Sequence, residues 1–277
     1  AVLVLGASPY DAAGEYGRHG IRASITDMEM ARVLSAAAVK QGKKALVHIK
    51  IDTGMGRIGF LPDNAASTVS EIAALPGIVC EGIFTHFATS DGADLTYTNE
   101  QHRLFLEALA AIERKGIAIP IRHCCNSGGT LYRPEWAMSG VRPGQLVAGM
   151  YPTDDVPRSV PILPGFSFRT TISALRTVPA GKGVSYGLTY TTHSDEKLAV
   201  LPVGYADGFA RALSNRADVL VHGKRCPVVG RICMDQCMVN VSAIPDAAVG
   251  DEVVLIGRQG VEEITIYEYA KKLDTIV

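Results

Sequence analysis

Across roughly the first 150 residues, short apolar, β-branched runs alternate with longer stretches of helical periodicity, and that rhythm admits few architectures. Strands are expected at Ala1 to Leu5, Arg22 to Ile25, Ala45 to Ile51, Val79 to Thr85 and Ile119 to Cys124, with a short one near Gly140 and Val141. The helices between them are sharper. Asp27 to Gln41 opens on an acidic cap and puts Met28, Ala31, Leu34 and Ala38 on one face, and Asp63 to Leu75 and Asn99 to Lys115 follow the same pattern. Repeated βα units of this kind build a parallel sheet.

A doubly wound sheet and a (β/α)8 barrel both satisfy that pattern, so a second observation has to separate them. The first strand leads into GASPYDAAG, and no G-x-G-x-x-G opens a helix, which weighs against a dinucleotide fold. Polar residues instead gather where strands end: Asp52 to Arg57, then His86, then Asn126 and Ser127, then Arg142 with Gly144. Strand ends converge on one mouth in a barrel, so the reading is a TIM-like α/β barrel. It is an incomplete one, with about six of the eight βα units that closure needs, in ~155 residues where roughly 200 or more are usual. Two units are expected before Ala1, and the 277 residues alone are not expected to make a stable enzyme.

From about Ser159 the helical period stops, and short strands such as Leu198 to Val203, Val219 to Val221 and Val253 to Ile256 are separated by Gly, Pro and Asp turns. A mainly β domain is expected over 159–277 after a barrel domain over 1–158, with YPTDDVPRSVPILPG as linker and one last helix from Thr265 to Leu273. Lys and Arg total 27 against 28 Asp and Glu, a net charge of -1 with no block of either sign. That balance suits neither nucleic acid nor an anionic membrane, and points to small-molecule partners. No apolar run approaches the ~20 residues of a membrane span and no signal peptide is visible, so a soluble, cytoplasmic protein is expected. The six cysteines read as reduced thiols in a chain that needs no disulfide staples. Cys233 and Cys237 near His222 are spaced one residue wider than CxxC with no second pair following, so no metal site is expected.

The strand-end residues sit in longer motifs. KIDTGMGRIGF, GIFTHFATSDGAD, CNSGGTLY, VRPGQ, VSYGLTYTT, LPVGYADGF and VGRICMDQCMV, in that order, resemble the successive motifs of the alanine racemases. The resemblance implies a barrel joined to a β domain, pyridoxal 5'-phosphate as cofactor, and a head-to-tail homodimer whose active sites each borrow residues from the partner's β domain. By the same resemblance Arg142 would bind the cofactor's pyridine nitrogen, and His86 would lie against its ring. Asn126 and Ser127, with backbone N–H groups around Gly144 and Gln145, would cradle its phosphate. His123 would pass hydrogen bonds between Arg142 and the catalytic tyrosine.

A racemase removes the α-proton from one face and returns it to the other, so two opposed acid/base groups are needed. The resemblance makes Tyr186 one of them. A free tyrosine has a pKa of about 10, so it would need nearby positive charge to act as a base. The other group in the family is the Schiff-base lysine of a KANAYGHG-like motif. No such motif occurs here, and none of Lys40, Lys43, Lys44 or Lys50 stands in its place. Without that lysine these 277 residues alone are expected to be inactive. Arg57 would bind the substrate carboxylate or the cofactor's phenolic oxygen, braced by Lys50, whose counterpart is carbamylated in some relatives. Tyr205, Cys233, Met234 and Asp235 would line the substrate entrance. Two positions depart from the pattern: Gln145 stands where the family has a small apolar residue, and Ala148 where it has a tyrosine.

The expected activity is interconversion of L- and D-alanine, supplying D-alanine for peptidoglycan. A racemase preferring serine or a broader range of amino acids shares the motifs. A non-catalytic pyridoxal-phosphate-binding barrel would lack the β domain, and a fold-related decarboxylase would lack GYADG and CMDQC.

Overall fold

The apolar runs of the first half pair side by side in the order in which they occur. The computed structural model describes residues 2–153, 158 and 160–277. Strands β1 (Leu3–Val4), β2 (Arg22–Ile25), β3 (Ala45–Lys50), β4 (Ile78–Phe84) and β5 (Ile121–His123) form one parallel sheet in the order β1-β2-β3-β4-β5. Sequential order with no reversal is the winding of a barrel and not of a doubly wound sheet. The intervening helices are α1 (Ala13–His19), α2 (Met28–Gln41), α3 (Ala65–Ala73) and α4 (Thr96–Arg114), and α5 (Ser127–Tyr132) follows β5.

Local chemistry explains the helix boundaries. The Asp27 carboxylate accepts the Met30 N–H at 2.8 Å and starts α2, and Gly42 ends it in the left-handed region at φ 62°. Met30, Leu34 and Ala38 of α2 then bury against Ile25, Val47, Ile49 and Ile83 of the sheet. Helix α1 carries no clear sequence signal, because Gly14 and Gly17 depress helix propensity and blur its period.

The segment at Gly140 and Val141 is irregular, a correction to the expected sixth strand. Its neighbourhood touches β5 through Ser139 N–H to Arg122 O and the loop beyond β5 through Arg142 N–H to Cys125 O, both 2.9 Å, without forming a ladder. Pro143 also removes a donor directly after Arg142.

Alternation along β3 sends Val47, Ile49 and, just beyond the strand, Ile51 into the helix-side core. His48 and Lys50 occupy the opposite face and are equally buried. The inner face of this sheet is therefore polar. A bulge sharpens the contrast: Val47 pairs with Cys80 and His48 with Gly82, leaving Glu81 as the extra residue on β4.

The chain divides into two units, Ala1–Val147 with Tyr151–Ile162, and Ala148–Met150 with Leu163–Val277. The expected junction at 158 and 159 touches Ser159, which lies outside the described residues. The second unit is mainly β and antiparallel. Strand β10 (Glu196–Leu201) runs between β7 (Ala174–Val178) and β13 (Cys237–Asn240). A larger sheet contains β6 (Phe168–Thr171), β11 (Asp218–Val221), β12 (Lys224–Pro227), β14 (Glu252–Gln259) and β15 (Glu262–Ile264), and β8 (Gly183–Val184) pairs with β9 (Tyr190–Thr191). Helix α6 (Ile266–Leu273), capped by Thr265, packs Tyr269 into the core of this unit. Among the described residues no helix is long and apolar enough to cross a membrane.

Removing the cap of α2 should register directly. Asp27→Ala is expected to cost about 1 kcal/mol, seen as a lower urea midpoint for the first unit with an unchanged slope.

Candidate active site

The loops beyond β4 and β5 and the segment after α5 meet around a cavity of about 260 Å³ whose lining includes His86, Asp91, Asn126, Ser127, Arg142, Gly144 and Gln145. Of the residues that the sequence places at strand ends, His86, Asn126, Ser127, Arg142 and Gly144 are in that lining, and Asp52 to Arg57 are not. Asn126 caps α5, its Oδ1 accepting from Gly129 N–H at 3.0 Å and from the Ser90 hydroxyl at 2.6 Å, while its amide donates to Phe87 O at 3.3 Å. The cap turns Ser127 toward the neighbouring loop, where its Oγ accepts the Gly144 N–H at 3.0 Å. The Gly144 N–H is spent on that oxygen, which leaves the hydroxyl's own proton for an anionic oxygen in the cavity.

Arg142 gives the cavity its charge. Nη1 donates to His123 Nδ1 at 2.6 Å, and Nη2 to Thr85 O at 2.7 Å and Cys124 O at 3.1 Å, with His86 Nδ1 at 3.5 Å. The guanidinium lies 5.3 Å from the centre of the Phe84 ring. No carboxylate among the described residues ion-pairs with it. Burial pushes its pKa down to about 10, which still leaves it charged at neutral pH. Burial first, and Arg142 second, push His86 down to about 4 and His123 down to about 3, so both imidazoles are neutral.

His123 does not play the expected part. Its second ring nitrogen, Nε2, is 2.8 Å from His48 Nδ1 and its ring stacks on Phe84, so both nitrogens are occupied and none remains for a tyrosine. It stands behind Arg142 and does not line the cavity.

Lys50 is 2% exposed, with Nζ donating to Ile51 O at 2.8 Å and lying 5.7 Å from the Phe84 ring centre. Burial pushes its pKa down to about 8 against the pull of Asp52, with Arg142 and Arg57 adding to the fall. Arg57 is exposed, and its backbone rather than its side chain is fixed. The Asp52 carboxylate accepts the N–H groups of Gly54, Met55, Gly56 and Arg57 at 2.8 to 3.1 Å and so shapes the whole loop. Burial works to raise the Asp52 pKa, but these amides and the charge of Lys50 bring it below the usual carboxylate value.

The role of Asp52 escapes a reading by motif, although an aspartate ahead of T-G-x-G is a signal for such side-chain-to-backbone turns. Gln101 gives no signal at all. It lies on α4, accepts Ala88 N–H at 2.8 Å and donates to His86 O at 3.2 Å, holding the loop after β4.

In the second unit Tyr186 opens a turn, Tyr186–Leu188, between Ser185 at φ 65° and Leu188 at φ 48°, and its side chain is 73% exposed. Ser185, Tyr186 and Cys233 line a larger, mostly apolar cavity of about 650 Å³ with Val178, Val184 and Met238. Tyr205 and Met234 lie on adjoining turns, joined by Tyr205 N–H to Cys233 O at 3.0 Å and Ala206 N–H to Met234 O at 2.9 Å. Gly204 permits this approach, since a Cβ there would stand 2.3 Å from Cys233 O. Tyr205, Met234 and Asp235 are exposed. Each set of expected residues is thus gathered within its own unit.

Fold and rim together define a barrel enzyme with an appended β domain. Residues 1–152 match the family model for the alanine racemase N-terminal domain, and residues 166–277 that for the alanine racemase C-terminal domain. An alanine racemase of Desulfovibrio desulfuricans is 47% identical over 256 residues, covering 92% of this chain and 69% of that protein. The solved alanine racemase of Clostridium difficile superposes with a TM-score of 0.93 at 38% identity, covering 99% of this chain and 71% of that one. That of Bacillus anthracis with bound L-Ala-P gives 0.92 at 32% identity, covering 99% and 71%. The chain belongs to the alanine racemase family, whose members are isomerases.

The neutral imidazoles carry a pH signature. Below about 6.5 an unfolded chain protonates its histidines, whereas His86 holds off protonation until about pH 4. Stability should therefore be constant above about pH 6.5 and fall as pH drops toward 4. His86→Asn should flatten that slope in a plot of thermal midpoint against pH.

Proposed function

We propose that this chain racemises alanine with pyridoxal 5'-phosphate, as part of a homodimer, and supplies D-alanine for peptidoglycan in the cytoplasm. The observation that carries the reading is Arg142, a half-buried, charged, donor-only side chain that ion-pairs with no carboxylate among the described residues, next to the Ser127 hydroxyl and the Gly144 amide. That donor set fits the cofactor: the phosphate suits Ser127 with the backbone around Gly144 and Gln145, and the ring nitrogen suits Arg142 as an acceptor. Asn126 holds the turn that presents Ser127, and His86, which lines the same cavity, would border the ring.

Bound there, pyridoxal 5'-phosphate supplies an electron sink that makes the α-proton of an amino acid acidic. Arg142 would donate to the ring nitrogen without giving up its proton, which would moderate that sink and favour return of the α-proton. Tyr186 from a second copy of the chain holds or takes the proton on one face. The opposing group in the family is a lysine in a motif that this sequence does not contain. Arg57 serves the substrate carboxylate or the cofactor's phenolic oxygen. Lys50, with its pKa pushed down to about 8, has the neutral amine fraction that carbamylation requires, and a carbamate there would meet the positive charge of Arg57 and Arg142.

A second copy is supported by surface chemistry. Tyr186, Leu188, Tyr205 and Met234 are 73%, 66%, 42% and 60% exposed, an aromatic and apolar group that water alone does not favour. Tyr205, Cys233, Met234 and Asp235 line the substrate entrance from that copy. The Bacillus anthracis neighbour holds L-Ala-P, and a ligand of that kind is extended here to this site.

Two experiments on the full-length protein test the reading. In a panel of L-amino acids followed by chiral chromatography, alanine should turn over fastest; faster conversion of serine would move the assignment to a serine or broad-specificity racemase. Tyr186→Phe should lower kcat on the order of 10² to 10⁴-fold with little change in cofactor affinity. Ser127→Ala should instead weaken cofactor binding about tenfold, as loss of one charge-assisted hydrogen bond does.

A further inference from the structure

The inner face of a barrel sheet is ordinarily packed with branched apolar side chains. Here a line of polar groups crosses it. Arg142 Nη1 reaches His123 Nδ1 at 2.6 Å, His123 Nε2 reaches His48 Nδ1 at 2.8 Å, and His48 Nε2 faces Glu81 Oε2 at 3.5 Å. Arg22 closes the line with a fork, Nε to Glu81 Oε2 at 3.0 Å and Nη2 to Oε1 at 3.2 Å. The line runs from the first residue of β2 to the rim cavity and involves four strands or strand ends.

The direction of this line is fixed by valence. An arginine has only N–H donors, so His123 Nδ1 must accept. A neutral imidazole that accepts at Nδ1 carries its proton on Nε2, which then donates to His48 Nδ1. His48 in turn carries its proton on Nε2 and needs an acceptor beyond it. A carboxylate only accepts, and Glu81 is held as a carboxylate by the fork to Arg22, which lowers its pKa. Reversing the line would make both nitrogens of His123 accept and leave its ring without a proton. Burial keeps His48 and His123 neutral, so neither imidazole adds a charge to the line.

The backbone is arranged around these contacts. Glu81 is the bulged residue of β4, and that extra residue shifts the register so that Gly82 lies opposite His48. A Cβ on Gly82 would stand 2.3 Å from His48 Nδ1, so the ring occupies space that only glycine leaves. Bulge, glycine and arginine fork serve one end, a carboxylate at the foot of the line.

We propose that Glu81 and His48 are positioning residues for Arg142: Glu81, anchored by Arg22, is the terminal acceptor of a one-way hydrogen-bond line that fixes the tautomers of His48 and His123 and so sets where the guanidinium stands at the rim. Neither residue lines the cavity. The inference rests on the reading that Arg142 holds the cofactor nitrogen, but the tautomers it specifies do not depend on that reading.

The test uses the full-length, cofactor-loaded protein with ¹⁵N-labelled histidine. In the parent protein both imidazoles should show the Nε2–H tautomer. Glu81→Leu removes the acceptor of the His48 Nε2–H, which should shift the His48 Nε2 resonance while Nδ1 still accepts from His123, and should lower kcat on the order of tenfold, the scale of groups that orient a ligand-holding side chain, with KM changed less. Glu81→Gln keeps a carbonyl acceptor and should restore most of both. An unchanged His48 Nε2 resonance together with unchanged kcat in Glu81→Leu would overturn the proposal. So would a loss confined to thermal stability, with kcat per folded site preserved. If the parent protein racemises no amino acid while its tautomers are as stated, the functional reading fails and the hydrogen-bond line stands.

Discussion

An arginine drawn partly out of water usually keeps its charge by pairing with an acid, and Arg142 has no such ion pair among the described residues. Desolvating a guanidinium costs several kcal/mol unless other groups replace the water. Two backbone carbonyls, a neutral imidazole and the face of Phe84 do so here. Those partners solvate the cation without neutralising it. The positive charge is therefore left for whatever enters the cavity, and that one constraint links the polar inner face of the sheet, the neutral histidines and the choice of ligand.

The same constraint explains why so much of the first unit is polar where barrels are apolar. Holding a donor-only group still requires acceptors, and each acceptor that is itself a histidine passes the demand further inward until a carboxylate ends it. The apolar work is moved to the other face, where Val47, Ile49, Ile51 and Ile83 pack against α2, α3 and α4. The second unit follows a different logic. Its core is an antiparallel β assembly, and its functional candidates ride on turns whose geometry is set by backbone hydrogen bonds and by strained residues such as Ser185 and Leu188. Exposed aromatic groups on such turns make sense as material for a second molecule's site.

Much of this organisation is legible in the amino-acid sequence alone. The alternating periods carry the βα rhythm, and α2 runs from its Asp27 cap to Gln41 as the pattern requires. His86, Asn126, Ser127, Arg142 and Gly144 group together because polar residues at parallel strand ends share a rim, and one cavity does gather them. The irregular segment at Gly140 mimics a strand because two apolar residues beside a proline resemble a strand end when pairing partners are invisible. Helix α1 is hidden by its glycines. The expected link from His123 to the tyrosine fails because sequence cannot say which neighbour takes each ring nitrogen. Its partner His48, across the sheet, reads only as one more strand residue. Asp52 and Gln101 act through backbone groups, and such contacts leave almost no trace in a single sequence.

On the function proposed above, Arg142 would meet the cofactor's ring nitrogen as a donor that never gives up its proton. Loading the full-length protein with pyridoxal 5'-phosphate labelled with ¹⁵N in the ring, and recording the nitrogen's chemical shift near neutral pH, tests this directly. An unprotonated pyridine nitrogen is the result expected, and it should become protonated when Arg142→Glu replaces the cation with an acid. A ring nitrogen already protonated in the parent protein would contradict it.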